Sequence, residues 1–208
     1  WKSICARLMN SKPEIEKRPG RYIKPNYIEM KHQEGKEFQG IMKYLTKETH
    51  GNIHDNGTIT ITSNSISSNN QMFHPKNVVD YDSETYYCKE NRNENANIVF
   101  DFKDKQVELE SYSIKTYRNS QGYEHLKSWV IEVSNDNNKW TAIDYHNDDG
   151  TLNGPGIIGT FVVKKQEYGF YRYIRLKQTG RSWCNYGNVF AIVALDFYGK
   201  ITLPNDKE

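Results

Sequence analysis

The chain has 208 residues, enough for one domain with a sizeable core plus an appendage. It is polar, with 36% hydrophobic and 26% charged residues, yet its 15 Tyr, 8 Phe and 4 Trp are more aromatic surface than an unfolded chain carries. A net charge of +2 excludes the strongly basic footprint of a nucleic-acid binder, and no apolar run approaches the roughly 20 residues of a membrane helix.

In chain order, Trp1, Ile4, Cys5, Leu8 and Met9 recur at helical spacing, which predicts a short amphipathic helix over residues 1–10 that Pro13 ends. Its stripe either packs on the following domain or belongs to an upstream one. Pro13, Pro19, Gly20 and Pro25, set among charges, mark a linker or wrapping arm, so residues 1–35 read as an N-terminal helix and arm, and 36–203 as the main domain. Phe38, Ile41, Met42 and Leu45 give one or two helical turns. The period then changes. After the turn Asp55-Asn56-Gly57, the run Thr58-Ile59-Thr60-Ile61-Thr62 alternates strictly, as a half-buried strand does. Further strands follow over 97–102, 107–117, 128–134, 139–144, 157–163, 170–176 and 190–198. Trp129, Ile131 and Val133 share one face of the fourth of these eight strands, and Trp129 and Trp140 are expected in the core or packed on the hairpin. About eight strands with turns every 8–12 residues predict an all-β, eight-stranded antiparallel sandwich with a short N-terminal helical arm.

Cys5, Cys88 and Cys184 are odd in number and far apart, with no C-x-x-C to signal a zinc knuckle or redox pair, which favours an intracellular, cytoplasmic setting over a secreted one; the sequon Asn56-Gly57-Thr58 points the other way. The six histidines have no ligand spacing, and no H-E-x-x-H, G-x-S-x-G or phosphate-binding loop is present, so catalysis is not expected.

Four segments in order carry a family likeness. Ser128–Asp136 followed by Trp140, Tyr171-Arg172-Tyr173-Ile174-Arg175-Leu176, Leu195-Asp196-Phe197-Tyr198-Gly199 and Val79-Asp80-Tyr81-Asp82-Ser83-Glu84-Thr85 resemble the hairpin, penultimate strand, closing strand and early acidic loop of discoidin, or F5/8 type C, domains. Phe38–Thr46 and His125–Trp129 resemble the intracellular branch that follows BTB-type adaptor regions. The resemblance implies a galactose-binding-like jelly roll that binds glycans, lipid head groups or proteins through loops at one end.

It also implies sites. Asp80, Asp82 and Thr85, with Asp196 from the last strand, are the candidate ligands of a structural calcium ion; the plainer reading is a turn in which the acids cap backbone amides. Arg118, His125 and Lys127 in one loop, and Arg181, Trp183 and Tyr186 in another, are the candidate ligand-binding residues, set against ordinary loop charges and a Trp183 that plugs the sandwich. No asparagine stands where sugar-binding relatives place one after Arg118, which disfavours galactose. The loop holding Arg92 and several asparagines is too polar for membrane insertion. The expected function is a non-enzymatic module, part of a larger intracellular adaptor, that binds a protein or peptide and requires no cofactor. The alternative is a carbohydrate-binding module with structural calcium.

Overall fold

The computed structural model describes residues 26–64, 73–81, 87–90 (by backbone), 95–118, 121–164, 169–184 and 189–203. The predicted N-terminal helix, Asp82, Thr85, Arg92 and Tyr186 lie outside them.

The elements in order are β1 (Tyr27–Met30), α1 (Ile41–Thr49), β2 (Thr60–Ser63), β3 (Tyr87–Glu90), β4 (Asn97–Asp101), β5 (Val107–Lys115), β6 (Trp129–Ser134), β7 (Thr141–His146), β8 (Ile158–Val162), β9 (Tyr173–Gln178), β10 (Val189–Ile192) and β11 (Ala194–Thr202). One antiparallel sheet runs β1-β11-β5-β8, another β2-β4-β9-β6-β7, and β10 pairs with β3. The sandwich is as expected, but eight strands undercount it. Within the expected arm, β1 adds an edge strand through the pairing Tyr27↔Thr202 to Met30↔Gly199. The run expected as one closing strand is split at Val193 between two sheets, because β10 pairs with β3 while β11 pairs with β5.

Alternation explains the core. Ile98 and Phe100 of β4, Trp129, Ile131 and Val133 of β6, and Ile174 and Leu176 of β9 point inward from the five-stranded sheet. They meet Tyr112 and Ile114 of β5, Phe161 of β8, and Leu195 and Phe197 of β11. Phe100 meets Phe197 edge-on at 5.1 Å, and Trp129 meets Phe161 in the same way at 5.2 Å. The period-2 pattern slips in β5, between Leu109 and Tyr112, because β5 carries one extra residue, Glu110, opposite the Tyr198–Gly199 step of β11. Gly199 sits there at φ 136°, and a Cβ would stand 2.1 Å from the Glu108 carbonyl oxygen, so only glycine fits.

Trp129 is buried in the core as expected, but Trp140 is not: it lies on the outer face of the five-stranded sheet, under the Arg175 guanidinium at 4.0 Å. Arg175 is fixed in turn by Glu132 at 2.6 Å. The helical turns expected from Phe38 begin later. Phe38 adopts φ 59° and α1 starts at Ile41, with Ile41, Met42 and Leu45 buried.

Trp129 fills the core where β6 begins, and its Nε1–H donates to the Tyr112 hydroxyl at 2.9 Å. Trp129→Ala is expected to lower stability by about 3–5 kcal/mol, and Trp129→Phe by less, in urea unfolding. A wild-type midpoint for Trp129→Ala would refute the register of β6.

Candidate functional site

Three connections gather at one end of the sandwich, where β6 begins and β7 and β9 end: residues 116–128, 147–157 and 179–184. Backbone bonds stitch them together. Thr179 N–H donates to Ser128 O (3.0 Å), Trp183 N–H to His125 O (3.2 Å) and Asp149 N–H to Lys127 O (2.8 Å). Gly122 N–H donates to Asn153 Oδ1 at 2.8 Å, and Asp148 N–H to Ser128 Oγ at 3.1 Å. The far end of the 179–184 segment is held by Val189 N–H, which donates to Ser182 Oγ at 3.3 Å.

This arrangement brings two of the candidate ligand residues into contact. The Lys127 ammonium stands 4.9 Å from the centre of the Trp183 ring and 2.7 Å from Asp148 Oδ1. Asp148 adopts φ 48°, a left-handed conformation that aspartate tolerates better than most residues. Trp183 is half-buried, neither a fully buried plug nor a freely exposed ring. Arg118 and Arg181 are exposed, one on each of the two loops, and Tyr123 is 50% exposed between them in sequence. His125 is a correction: it is completely buried, so its side chain is not part of the exposed loop surface. Its part is structural, since its carbonyl carries the Trp183 amide.

Beneath these loops lies a group that the motifs did not single out. Asp144 and His146 are buried at the end of β7, and Asp149 follows in the turn; His146 bonds both acids. The signal was present as Asp-x-His, which puts both side chains on one face of a strand, with a second acid just beyond the strand end.

The calcium candidates are placed differently. Asp80 closes the short 3-10 turn Pro75–Val79, its N–H donating to Asn77 O. Asp196 is buried on the outer face of β11, and its oxygens take up backbone amides: Oδ2 from Gly40 (2.8 Å), Oδ1 from Met42 (2.9 Å) and Phe197 (2.8 Å). The first turn of α1 has no acid of its own, so Asp196 caps that helix from another element. Gly40 is required at this contact, because a Cβ would lie 2.2 Å from Phe197 O. A carboxylate engaged in this way does not fit a calcium ligand, which corrects that assignment. Among the described residues no group of three or more His, Cys, Asp or Glu is placed to hold a metal ion.

A family model for the F5/8 type C domain matches residues 58–193, more than half of the chain. The chain belongs to the F5/8 type C domain family. Among curated proteins, this F5/8 type C chain is 29% identical over 90 residues to the E3 ubiquitin-protein ligase Ufd4 of Drosophila melanogaster, covering 41% of this chain and 3% of that protein. It is 26% identical over 129 residues to the E3 ubiquitin-protein ligase hecd-1 of Caenorhabditis elegans, covering 61% and 5%. The domain thus spans only a small fraction of these relatives. Among solved structures it is similar to CpGH89CBM32-5 from Clostridium perfringens, in complex with GalNAc-beta-1,3-galactose: TM-score 0.53, 15% identity, 68% of this chain and 96% of that one. At that identity the likeness shows the fold. No helix among the described residues is long and apolar enough to cross a membrane.

Burial pushes the Asp196 carboxyl up to about 6, against the amides that favour its charge. A raised carboxyl means the folded state holds its proton longer than the unfolded chain. Its contribution to stability is therefore full at low pH and is lost as pH rises towards 6. Asp196→Asn is expected to abolish that loss, so its stability relative to the native chain should improve between pH 4 and pH 6 in urea titrations. An unchanging difference would refute the assignment.

Proposed function

We propose that this domain is a non-catalytic recognition module that binds a protein or peptide segment through the end loops, as one part of a larger intracellular protein. The observation that carries this reading is the joining of two sequence-distant loops at Trp183 and Lys127, with Trp183 N–H on His125 O and the ammonium over the indole. An aromatic face beside a fixed charge pair is the chemistry of a polar interface anchor. Arg118 and Arg181 supply charge-assisted hydrogen bonds to carboxylates or carbonyls of the partner, and Tyr186 is read as a second contact. The setting is supported by the relatives, E3 ubiquitin-protein ligases many times longer than the matched segment.

A carbohydrate is the second reading, favoured by the fold shared with a structure in complex with GalNAc-beta-1,3-galactose. Neither reading routes a step through a metal; Asp80, Asp82 and Thr85 stay the candidate ligands only if a calcium ion takes part.

Peptide and glycan arrays probed with the same protein separate the two readings. The expected result is selective peptide binding that Arg118→Ala combined with Trp183→Ala weakens at least tenfold, while stability changes by about 1 kcal/mol. Selective retention of galactose or GalNAc would transfer the site to the carbohydrate reading.

Melting after chelation and re-addition of millimolar calcium gives an independent check, because an ion that binds only the folded state stabilises by mass action. The expected gain is below about 1 kcal/mol. A large gain that Asp80→Ala removes would favour the carbohydrate module.

A further inference from the structure

The two large sheets end on the outer strands β1, β8, β2 and β7, and all but β8 are blunted against further pairing. At β2 a loop takes up the edge amides: Ile59 N–H donates to Ile53 O at 2.9 Å, and Ile61 N–H to His54 Nδ1 at 3.0 Å. At β7 the register slips between Ile131 and Glu132, which leaves Ile143 as an extra residue, and the buried Asp144 follows it. A bulge and an inward-pointing acid both oppose the addition of a strand. β1 is only four residues long and carries the exposed Glu29.

β8 has none of these devices. Its run Ile158-Gly159-Thr160-Phe161-Val162 holds no charge, no proline and no bulge. Val162 is 70% exposed and Ile158 44%. The bonds at the two ends of the strand decide which groups face outward. Thr116 N–H donates to Ile157 O and Val163 N–H to Glu110 O, both at 2.9 Å, so residues 157, 159, 161 and 163 turn their backbone groups to β5. The residues between them face the other way. Ile158, Thr160 and Val162 therefore direct their N–H and C=O groups over the open edge. Their side chains share the outer face of the sheet, opposite Lys115, Ser113 and Ser111, and Thr160 Oγ1 is held there by Ser113 Oγ at 2.7 Å.

The pattern of this edge selects its occupant. The run reads alike in both directions, with a β-branched apolar residue at each end and threonine at the centre. An antiparallel copy centred on Thr160 sets Ile158 beside the partner's Val162, Val162 beside the partner's Ile158, and the two threonines side by side. Each of these residues meets one whose backbone groups also face the edge, so every pair can exchange both of its N–H···O bonds. Cross-strand pairs of β-branched residues stabilise a sheet, and no like charges meet across the axis because the strand carries none. A slip by two residues sets threonine against Ile158 or Val162 and loses the match.

We propose that β8 is a self-pairing edge: two copies of this chain join β8 to β8 antiparallel about a two-fold axis at Thr160, which fuses their four-stranded sheets into one. The contact is short, so the dimer is weak and forms as concentration rises. The proposal rests on no reading of the end loops.

The test is sedimentation velocity of the 208-residue chain from micromolar to millimolar concentration, with amide hydrogen exchange read by NMR over the same range. The expected result is a monomer that passes to a dimer while the amides of Ile158, Thr160 and Val162 become protected. The amides of Gly159 and Phe161, bonded to β5, should be protected at every concentration. Val162→Lys is expected to weaken the dimer by about tenfold or more, while the Gly159 and Phe161 amides stay protected and so report an intact strand. A chain that stays monomeric throughout, a dimer that Val162→Lys leaves unchanged, or a dimer whose three edge amides exchange freely would overturn the proposal. So would a monomeric chain in which those three amides are protected only on adding a synthetic extended Val/Thr peptide, a result that gives the edge to a strand from another protein.

Discussion

Tyr112 reaches across the sandwich from β5 and bonds the Asp144 carboxylate of the opposite sheet, while its own oxygen accepts the Trp129 indole N–H. A hydroxyl, an indole N–H and a carboxylate buried together would each cost roughly 1–3 kcal/mol or more if left unmet. Linked in one chain with His146, they set the spacing and rotation of the two sheets at this end. Apolar packing by Phe161 and Ile131 tolerates small slips; this chain does not, because its bonds have direction. The end loops inherit that precision, since the chain continues through Asp149 to the Lys127 backbone.

Three acids answer two opposite demands. Asp196 is met by backbone amides and the Tyr81 hydroxyl, and burial dominates, so its carboxyl is raised; what it gains is the seating of α1 on β11. Asp144 and Asp149 have an imidazole between them, and hydrogen bonding to the charged form dominates. One acid therefore anchors the N-terminal segment, and the other two shape the loop surface.

Membership of the F5/8 type C family fixes the scaffold and leaves the ligand to the loops. The site here joins an indole, an ammonium and a carboxylate across three connections, two of which carry an exposed arginine, Arg118 and Arg181. The proposed polypeptide partner rests on that combination.

Strand positions were legible because alternation is a local property: a residue's face follows from its neighbour's, so Trp129, Ile131 and Val133 could be put on one face from sequence alone. Acidic and basic loops, the absence of catalytic motifs and the family likeness were legible for the same reason, each being a short contiguous pattern. What only the tertiary structure decided involved partners distant along the chain. Asp196 reads as a metal ligand until Gly40 and Met42, over 150 residues away, supply amides to it. His125 reads as an exposed loop residue until packing buries it, and Trp140 reads as core or hairpin packing until Arg175 covers it on the outer face. His146 draws no notice in sequence, because its meaning depends on Tyr112 arriving from the other sheet and on Trp129 beneath it. Burial and hydrogen-bond geometry are set by which elements meet, and no window of neighbouring residues contains that information.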